Sequence, residues 1–189
     1  MSIKINTKCR ICDHSPLIDV IDLGETPLAD NFIEQVEDEA KYPLILKYCP
    51  ECTLTQLVSV VDATNVFNND YGFFTSGSPS AVRHFRQYGL YLIGRFFLNQ
   101  DDFIVEIASN DGTFLNVFKQ HNFKNLLGIE PTANTAKMAI DNGIPTKIQF
   151  WNAQTAQEIY EEYNQKPFVI VANNVLALSL IHISEPTRQ

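Results

Sequence analysis

The segment DFIVEIASNDGTFLNVF, residues 102–118, contains three different local patterns in close succession. FIVEI is an almost continuous apolar run, which is typical of a strand buried on both faces. SNDG consists of turn-forming residues, and TFLNVF places Leu115 and Phe118 on one face of a helix. The segment therefore predicts a strand, a turn and a helix of an α/β domain.

The same alternation repeats along residues 101–177. NLLGIE, PTKIQFW and PFVIVANN are predicted strands, and TANTAKMAIDNG and NAQTAQEIYEEYNQ are predicted helices, the first of which ends at Gly143. This order predicts a parallel sheet built from βαβ units, the first half of a Rossmann-like domain. Such sheets bind ligands at the carboxyl ends of their strands.

Two predicted strand ends carry residues suited to a ligand. In the turn after the first strand, Ala108, Ser109 and Gly112 are small enough for a ligand to approach the backbone. Asn110 and Asp111 in the same turn tolerate unusual backbone angles.

The second strand ends at Glu130, whose carboxylate can accept hydrogen bonds from both hydroxyls of a ribose. Together the two strand ends favour a cofactor that contains adenosine. The G-x-G-x-x-G fingerprint of dinucleotide folds is absent, and no array of glycines is present to receive a pyrophosphate. Acidic Glu106 and Asp111 suit a cationic amino-acid end, so S-adenosylmethionine is the predicted cofactor.

The four cysteines form two pairs, Cys9 with Cys12 and Cys49 with Cys52. Two C-x-x-C turns supply the four sulfurs of a tetrahedral zinc site, and four thiolates leave no open position for catalysis. Two disulfides or four buried thiols are the alternatives, and a reducing compartment opposes the first. We therefore predict a zinc-ribbon-like domain with structural zinc over residues 1–62.

Residues 63–100 are predicted to form a loop and a connecting helix. The apolar spacing from Ala81 onward indicates an amphipathic helix. The preceding loop carries the hydroxyls of Tyr71, Thr75, Ser76 and Ser78. These groups either contact a substrate or cap the following helix, and the sequence favours neither role.

Composition excludes several classes of protein. The chain is 45% hydrophobic and carries a formal net charge of -8, so it can bury a core and its surface repels phosphate backbones. We expect no nucleic-acid partner, no membrane segment and no signal peptide. The expected location is the cytoplasm.

Five ordered motifs resemble the sugar C-methyltransferases that act on nucleotide-linked keto-deoxysugars. They are LGETPLADNF (23–32), YGFFTSGS (71–78), VEIASNDG (105–112), GIEPTANTA (128–136) and ANNVLA (172–177). With the two cysteine pairs, the resemblance covers residues 8–177. It implies an N-terminal zinc-binding domain followed by a class I S-adenosylmethionine-dependent methyltransferase domain.

The resemblance also implies roles for individual residues. The methionine part of the cofactor would be held by Glu106, Ala108, Asn110, Asp111 and Gly112. Glu130 and Pro131 would lie beside the ribose, and Asn173 and Asn174 would face the pocket. Tyr71 would lie near a nucleotide-sugar substrate, as a catalytic candidate, with Ser76 and Ser78 as further substrate contacts. The implied reaction removes a proton next to a ketone and then transfers the methyl group.

Residues 178–189 continue no earlier pattern, and they resemble the translation of a sequencing-library adapter. We expect this segment to be non-native and the chain to be an inactive fragment whose main catalytic base is missing. Three alternatives remain: a nicotinamide-dependent sugar-modifying enzyme, a zinc-ribbon interaction module without catalysis, and a methyltransferase with another acceptor.

Overall fold

The computed structural model describes residues 3–28, 33, 39–67 and 71–175. The described residues form two compact units, one ending at Phe67 and one beginning after it. The predicted domain borders at residues 62 and 100 stay predictions.

The first unit consists of short antiparallel strands. They are β1 (Ile3–Ile5), β2 (Ile18–Thr26), β3 (Tyr42–Tyr48), β4 (Thr55–Leu57) and β5 (Ser59–Val61), followed by helix α1 (Ala63–Val66). Strands β2, β3 and β4 form one sheet in that order, and β1 pairs with β5 in another. The segment TQLVSVV (55–61) is divided between these two sheets at buried Val58.

The second unit alternates strands and helices. A single 3-10 turn (Thr75–Gly77) precedes the elements, which are α2 (Pro79–Arg95), β6 (Ile104–Ile107), α3 (Thr113–Gln120), β7 (Leu126–Ile129), α4 (Ala133–Asp141), β8 (Thr146–Lys147), α5 (Ala153–Tyr163) and β9 (Val169–Ala172). The four strands are parallel, in the order β8-β7-β6-β9. The predicted fold class is confirmed.

Side chains of β6 enter two separate apolar clusters. Ile104 packs with Phe114 and Phe118 of α3, whereas Val105 packs with Ile159 of α5. Successive strand residues point to opposite faces of a sheet, so the two clusters lie on its two sides. Strand β6 is therefore covered on both faces, and its carboxyl end is the part that a ligand can approach.

Helix α2 begins at Pro79, two positions before the predicted start at Ala81. Proline suits the first turn of a helix because its missing N–H would have no partner there. Ser78 caps the helix, and its hydroxyl oxygen accepts a hydrogen bond of 3.3 Å from the Ala81 N–H. None of the helices in the described residues combines the length and the apolar character that crossing a membrane requires.

Candidate metal centre and cofactor site

The two cysteine turns have the same backbone structure. The N–H of Cys9 donates to the carbonyl of His14 (2.9 Å), as that of Cys49 does to Leu54 (2.8 Å). The carbonyl of Cys9 accepts a hydrogen bond from the N–H of Asp13, and the carbonyl of Cys49 accepts one from the N–H of Thr53. Asp13 and Thr53 both have a positive φ, of 59° and 62°. These repeated bonds hold the thiols of each pair on one side of its turn.

All four sulfur atoms lie within 4.8 Å of one another. The closest approaches join the two turns, at 3.4 Å between the sulfurs of Cys9 and Cys52 and 3.6 Å between those of Cys12 and Cys49. Tetrahedral zinc with Zn–S bonds of about 2.3 Å separates its sulfurs by about 3.8 Å. The four cysteines are free thiols, so they fit zinc and form no disulfide.

Without metal, the thiols of Cys9 and Cys12 have different pKa values because their surroundings differ. Burial opposes ionisation of Cys9, but hydrogen bonds from the backbone of Cys12 and Ile11 and from the other thiols outweigh it and lower the pKa of Cys9 to about 7. A backbone hydrogen bond from His14 lowers the pKa of Cys12, but burial and the neighbouring thiols outweigh it and raise that pKa to about 12. Bound zinc would favour the thiolate at all four positions.

In the second unit, the turn after β6 has an unusual backbone. Ala108, Asn110 and Gly112 have positive φ values of 53°, 50° and 75°. Glycine and asparagine adopt such angles more readily than other residues, whereas the Cβ of Ala108 makes its angle a strained one. A Cβ at Gly112 would lie 3.1 Å from side-chain atoms of both Ala139 and Ile144, so this position requires glycine for space as well as for conformation.

The carboxylate of Glu130 joins this turn to the end of β7. Glu130 Oε2 accepts a hydrogen bond from the Asn110 N–H at 2.8 Å, and Oε1 accepts from the Thr132 N–H at 2.9 Å and from the Thr132 hydroxyl. The side chain is buried. The two predicted strand ends therefore meet at the same edge of the sheet, and one acceptor position on Oε2 is not used by these bonds.

Asn110 and Asp111 direct their side chains toward residues 71–78. Asn110 Oδ1 accepts from the N–H of Thr75 at 2.9 Å, and Asn110 Nδ2 donates to the carbonyl of Phe73 at 3.0 Å. Asp111 Oδ2 accepts from the N–H of Ser76 at 2.8 Å. The sequence placed the turn and this loop in separate parts of the chain, and the structure brings them together.

Glu106 is a buried carboxyl group near the end of β6. Burial raises its pKa well above the usual range, and the charges of Glu130 and Asp111 raise it further. Asn173, next to the end of β9, has the opposite effect on this pKa because its amide lies close to the carboxyl group. The two nevertheless form no hydrogen bond of ordinary geometry, since Glu106 Oε2 and Asn173 Nδ2 both lack a partner in the described structure.

Within the described residues, four buried side-chain polar atoms have no hydrogen-bond partner. They are Glu106 Oε2, Ser109 Oγ, Gln149 Nε2 and Asn173 Nδ2. Their residues lie at or just after the carboxyl ends of three parallel strands, β6, β8 and β9. Buried polar groups are nearly always paired in native proteins, so a set of unpaired ones at one edge of a sheet indicates a site for a polar ligand.

The other predicted site residues lie around the same edge. Pro131 directly follows Glu130, and Asn174, with a φ of 55°, is in the turn after β9. Asn134 of α4 donates to the carbonyl of Tyr71 at 2.8 Å, which places that loop residue beside α4. Ser76 is exposed, whereas the hydroxyl of Ser78 is used as the cap of α2.

Comparison with known proteins finds two similarities. Residues 9–67 match a family described as "Putative zinc binding domain". Over 155 residues the chain is 32% identical to the C-methyltransferase NovU of Streptomyces niveus, and the alignment covers 80% of this chain and 36% of that protein. The chain is therefore similar to a C-methyltransferase over most of its own length, and it carries the matched zinc-binding domain. It spans only about a third of its relative's length.

Two features of the site were not found from the sequence. Gln149 follows β8, and its buried amide nitrogen is among the four unpaired atoms, although the sequence shows it only as a polar residue in an apolar segment. Buried Thr132 and Thr135 lie in hydrogen-bonding contact with each other, and Thr132 also donates to Glu130. The alternation of small and polar residues in EPTANTA (130–136) is the sequence pattern that could have indicated these contacts.

Proposed function

We propose that this chain is part of an S-adenosylmethionine-dependent C-methyltransferase of class I, acting on a nucleotide-linked keto-deoxysugar. The observation that carries the proposal is the set of four unpaired buried polar atoms at the carboxyl edge of the parallel sheet. A polar ligand bound there would give these groups partners and remove the cost of leaving them unpaired.

The shape and charge of the edge support this cofactor over a dinucleotide. The turn at 108–112 has a single glycine, whereas a pyrophosphate is received by a glycine-rich turn. The nearby side chains Glu106, Asp111 and Glu130 are acidic, which disfavours phosphate and favours an ammonium group. S-adenosylmethionine has such a group, a ribose and no phosphate.

The residues of the chain can be assigned to parts of this cofactor. Glu106 and Asn173 would receive the ammonium and carboxylate of the methionine part, with the backbone of the 108–112 turn close by. Glu130 would accept from a ribose hydroxyl through its remaining position on Oε2. The cofactor supplies an electrophilic methyl group on sulfur.

The substrate would lie against residues 71–78. Tyr71 and Ser76 are the candidate contacts with the sugar, and Tyr71 is a candidate for handling the proton next to its ketone. Zinc would stabilise the first unit without taking part in the chemistry, because four thiolates complete its coordination. A reducing compartment, the cytoplasm, keeps these thiols available as ligands.

Calorimetric titration of the chain with S-adenosylmethionine and with NAD tests the cofactor. We expect saturable binding of S-adenosylmethionine and at least tenfold weaker binding of NAD. The substitution Glu106→Gln should weaken the binding of S-adenosylmethionine about tenfold, which corresponds to one charge-assisted hydrogen bond. The matched control is Glu158→Gln on exposed α5. Tighter binding of NAD would end the methyl-donor proposal.

A further inference from the structure

The turn that is expected to receive the cofactor is bonded to the loop that is expected to receive the substrate. Asn110 Oδ1 accepts two hydrogen bonds from Thr75, one from its N–H (2.9 Å) and one from its hydroxyl (3.2 Å). Asn110 Nδ2 donates to Phe73, and Asp111 accepts from the N–H of Ser76. We call residues 71–78 the strap.

We propose that Asn110 and Asp111 are positioning residues, whose side chains hold the strap at the carboxyl edge of β6 and do not themselves bind the cofactor. The inference rests on the proposed function in taking this edge as the place where the cofactor binds. It concerns the side chains only, and the backbone of the turn remains available to a ligand.

The hydrogen-bonding capacity of the two side chains supports this role. An amide oxygen accepts two hydrogen bonds, and both positions on Asn110 Oδ1 are used by Thr75. Asp111 is 2% exposed. In addition to the bond from the Ser76 N–H, its carboxylate accepts hydrogen bonds from the N–H (3.2 Å) and the hydroxyl (2.6 Å) of Thr113 at the start of α3. A cofactor would have to displace these bonds in order to use Asn110 Oδ1 or Asp111 Oδ1, and Asp111 Oδ2 already accepts from the Ser76 N–H.

The strap is also fixed at both of its ends. Asn134 of α4 donates to the carbonyl of Tyr71, and the hydroxyl of Ser78 caps α2. Its centre is held by Asn110 and Asp111, and Thr75 is buried there. The strap is therefore bonded to α4, to α2 and to the turn after β6. These bonds fix where Tyr71 and the side chain of Ser76 lie along the carboxyl edge of the sheet.

Hydrogen–deuterium exchange of the intact chain without ligand tests the role directly. The variant Asn110→Gly removes the side chain and keeps the positive φ of 50°, which glycine adopts without strain. We expect the amides of Thr75 and Ser76 to exchange on the order of tenfold faster, as expected from losing the bonds that hold the strap.

Two further variants separate positioning from general loosening. Asn122→Gly is the matched control, because Asn122 also has a positive φ, of 63°, and is exposed in the turn after α3. It should leave exchange in the strap unchanged. Asn110→Asp keeps the acceptor for Thr75 but loses the donor to Phe73, so it should restore part of the protection. Equal exchange in wild type and Asn110→Gly would overturn the proposal, as would an equal increase in β6 and β7.

Titration of the same variants with S-adenosylmethionine distinguishes positioning from direct binding. With positioning, Asn110→Gly retains the wild-type dissociation constant within about threefold. A loss of more than tenfold with unchanged exchange in the strap would identify Asn110 as a ligand and overturn the proposal. If the wild-type chain does not bind S-adenosylmethionine, the proposed function fails, and the exchange comparison alone decides the role of the strap.

Discussion

Gly128 lies in β7 between two neighbouring strands, where the structure leaves no room for a side chain. It is opposite Glu106 of β6 on one side and Thr146 of β8 on the other. A Cβ at this position would lie 2.3 Å from Ser109 Oγ, 3.0 Å from Ser109 Cβ and 3.0 Å from Thr146 Oγ1. Ser109 Oγ can rotate away from the added Cβ but Ser109 Cβ cannot, so Gly128→Ala requires Ser109 in the turn after β6 to shift.

Forcing one methyl group into a packed position typically costs about 1–3 kcal/mol, and the distance of 2.3 Å excludes the lower end of that range. We expect a loss of about 2 kcal/mol in the free energy of unfolding of the second unit. For a unit of about 100 residues, this lowers the Tm by about 8–16 °C. Differential scanning calorimetry of the chain measures the change.

Two comparisons make the result specific to the contact with Ser109. In the double variant Gly128→Ala with Ser109→Gly, the obstructing side chain is absent, so most of the lost Tm should return. Gly94→Ala in α2 is the control, because nothing lies within 4 Å of the added Cβ and alanine favours a helix by about 1 kcal/mol. A Gly128→Ala chain that melts with the wild type would refute the reasoning, and so would a double variant no more stable than the single one.

Three other predictions follow from the two sites. Purified chain should contain about one zinc ion, and Cys49→Ser should bring the metal content measured by mass spectrometry close to zero and unfold the first unit. Without cofactor, Glu106→Gln should be more stable than wild type, and the difference in Tm should grow as the pH rises above the unfolded pKa of about 4.3. The folded pKa of Glu106 is raised above that value, so wild-type stability is lost as the pH rises toward the folded pKa. Ser78→Ala should cost about 1 kcal/mol in thermal unfolding through loss of the α2 cap.

Each of these has an outcome that contradicts it. Full zinc content in Cys49→Ser would show that the metal does not need all four thiols. A pH-independent difference between Glu106→Gln and wild type would mean that the carboxyl group titrates normally, with Glu158→Gln as the control. An unchanged Tm in Ser78→Ala would show that the cap does not stabilise α2, and a substrate contact would then be the remaining role that the sequence allows for Ser78.

Local patterns were sufficient to predict most elements of the second unit. The apolar run at 103–107 became β6, and the stop at Gly143, where φ is 73°, follows α4 closely. These features depend on neighbouring residues, so they can be recognised from the sequence. The meeting of Glu130 with the 108–112 turn was also predicted, because the strands were expected to be parallel and adjacent.

Features that depend on distant contacts could not be predicted. Asn110 and Asp111 were interpreted as turn residues and cofactor ligands, and nothing near them indicates partners 35 residues earlier. The division of TQLVSVV is another case, because β5 pairs with β1, whose three residues are too few to predict a strand. Unpaired atoms such as Gln149 Nε2 become visible only when every contact of a buried group is known.

The sulfur contacts between the two cysteine turns imply a large change in chain entropy. Cys12 and Cys49 are 37 positions apart, and metal that bridges them closes a long loop. A covalent crosslink over such a distance removes about 4 kcal/mol of conformational freedom from an unfolded chain. A bridging ion restricts the chain in the same way but can dissociate. The first unit should therefore fold or unfold according to the concentration of free zinc.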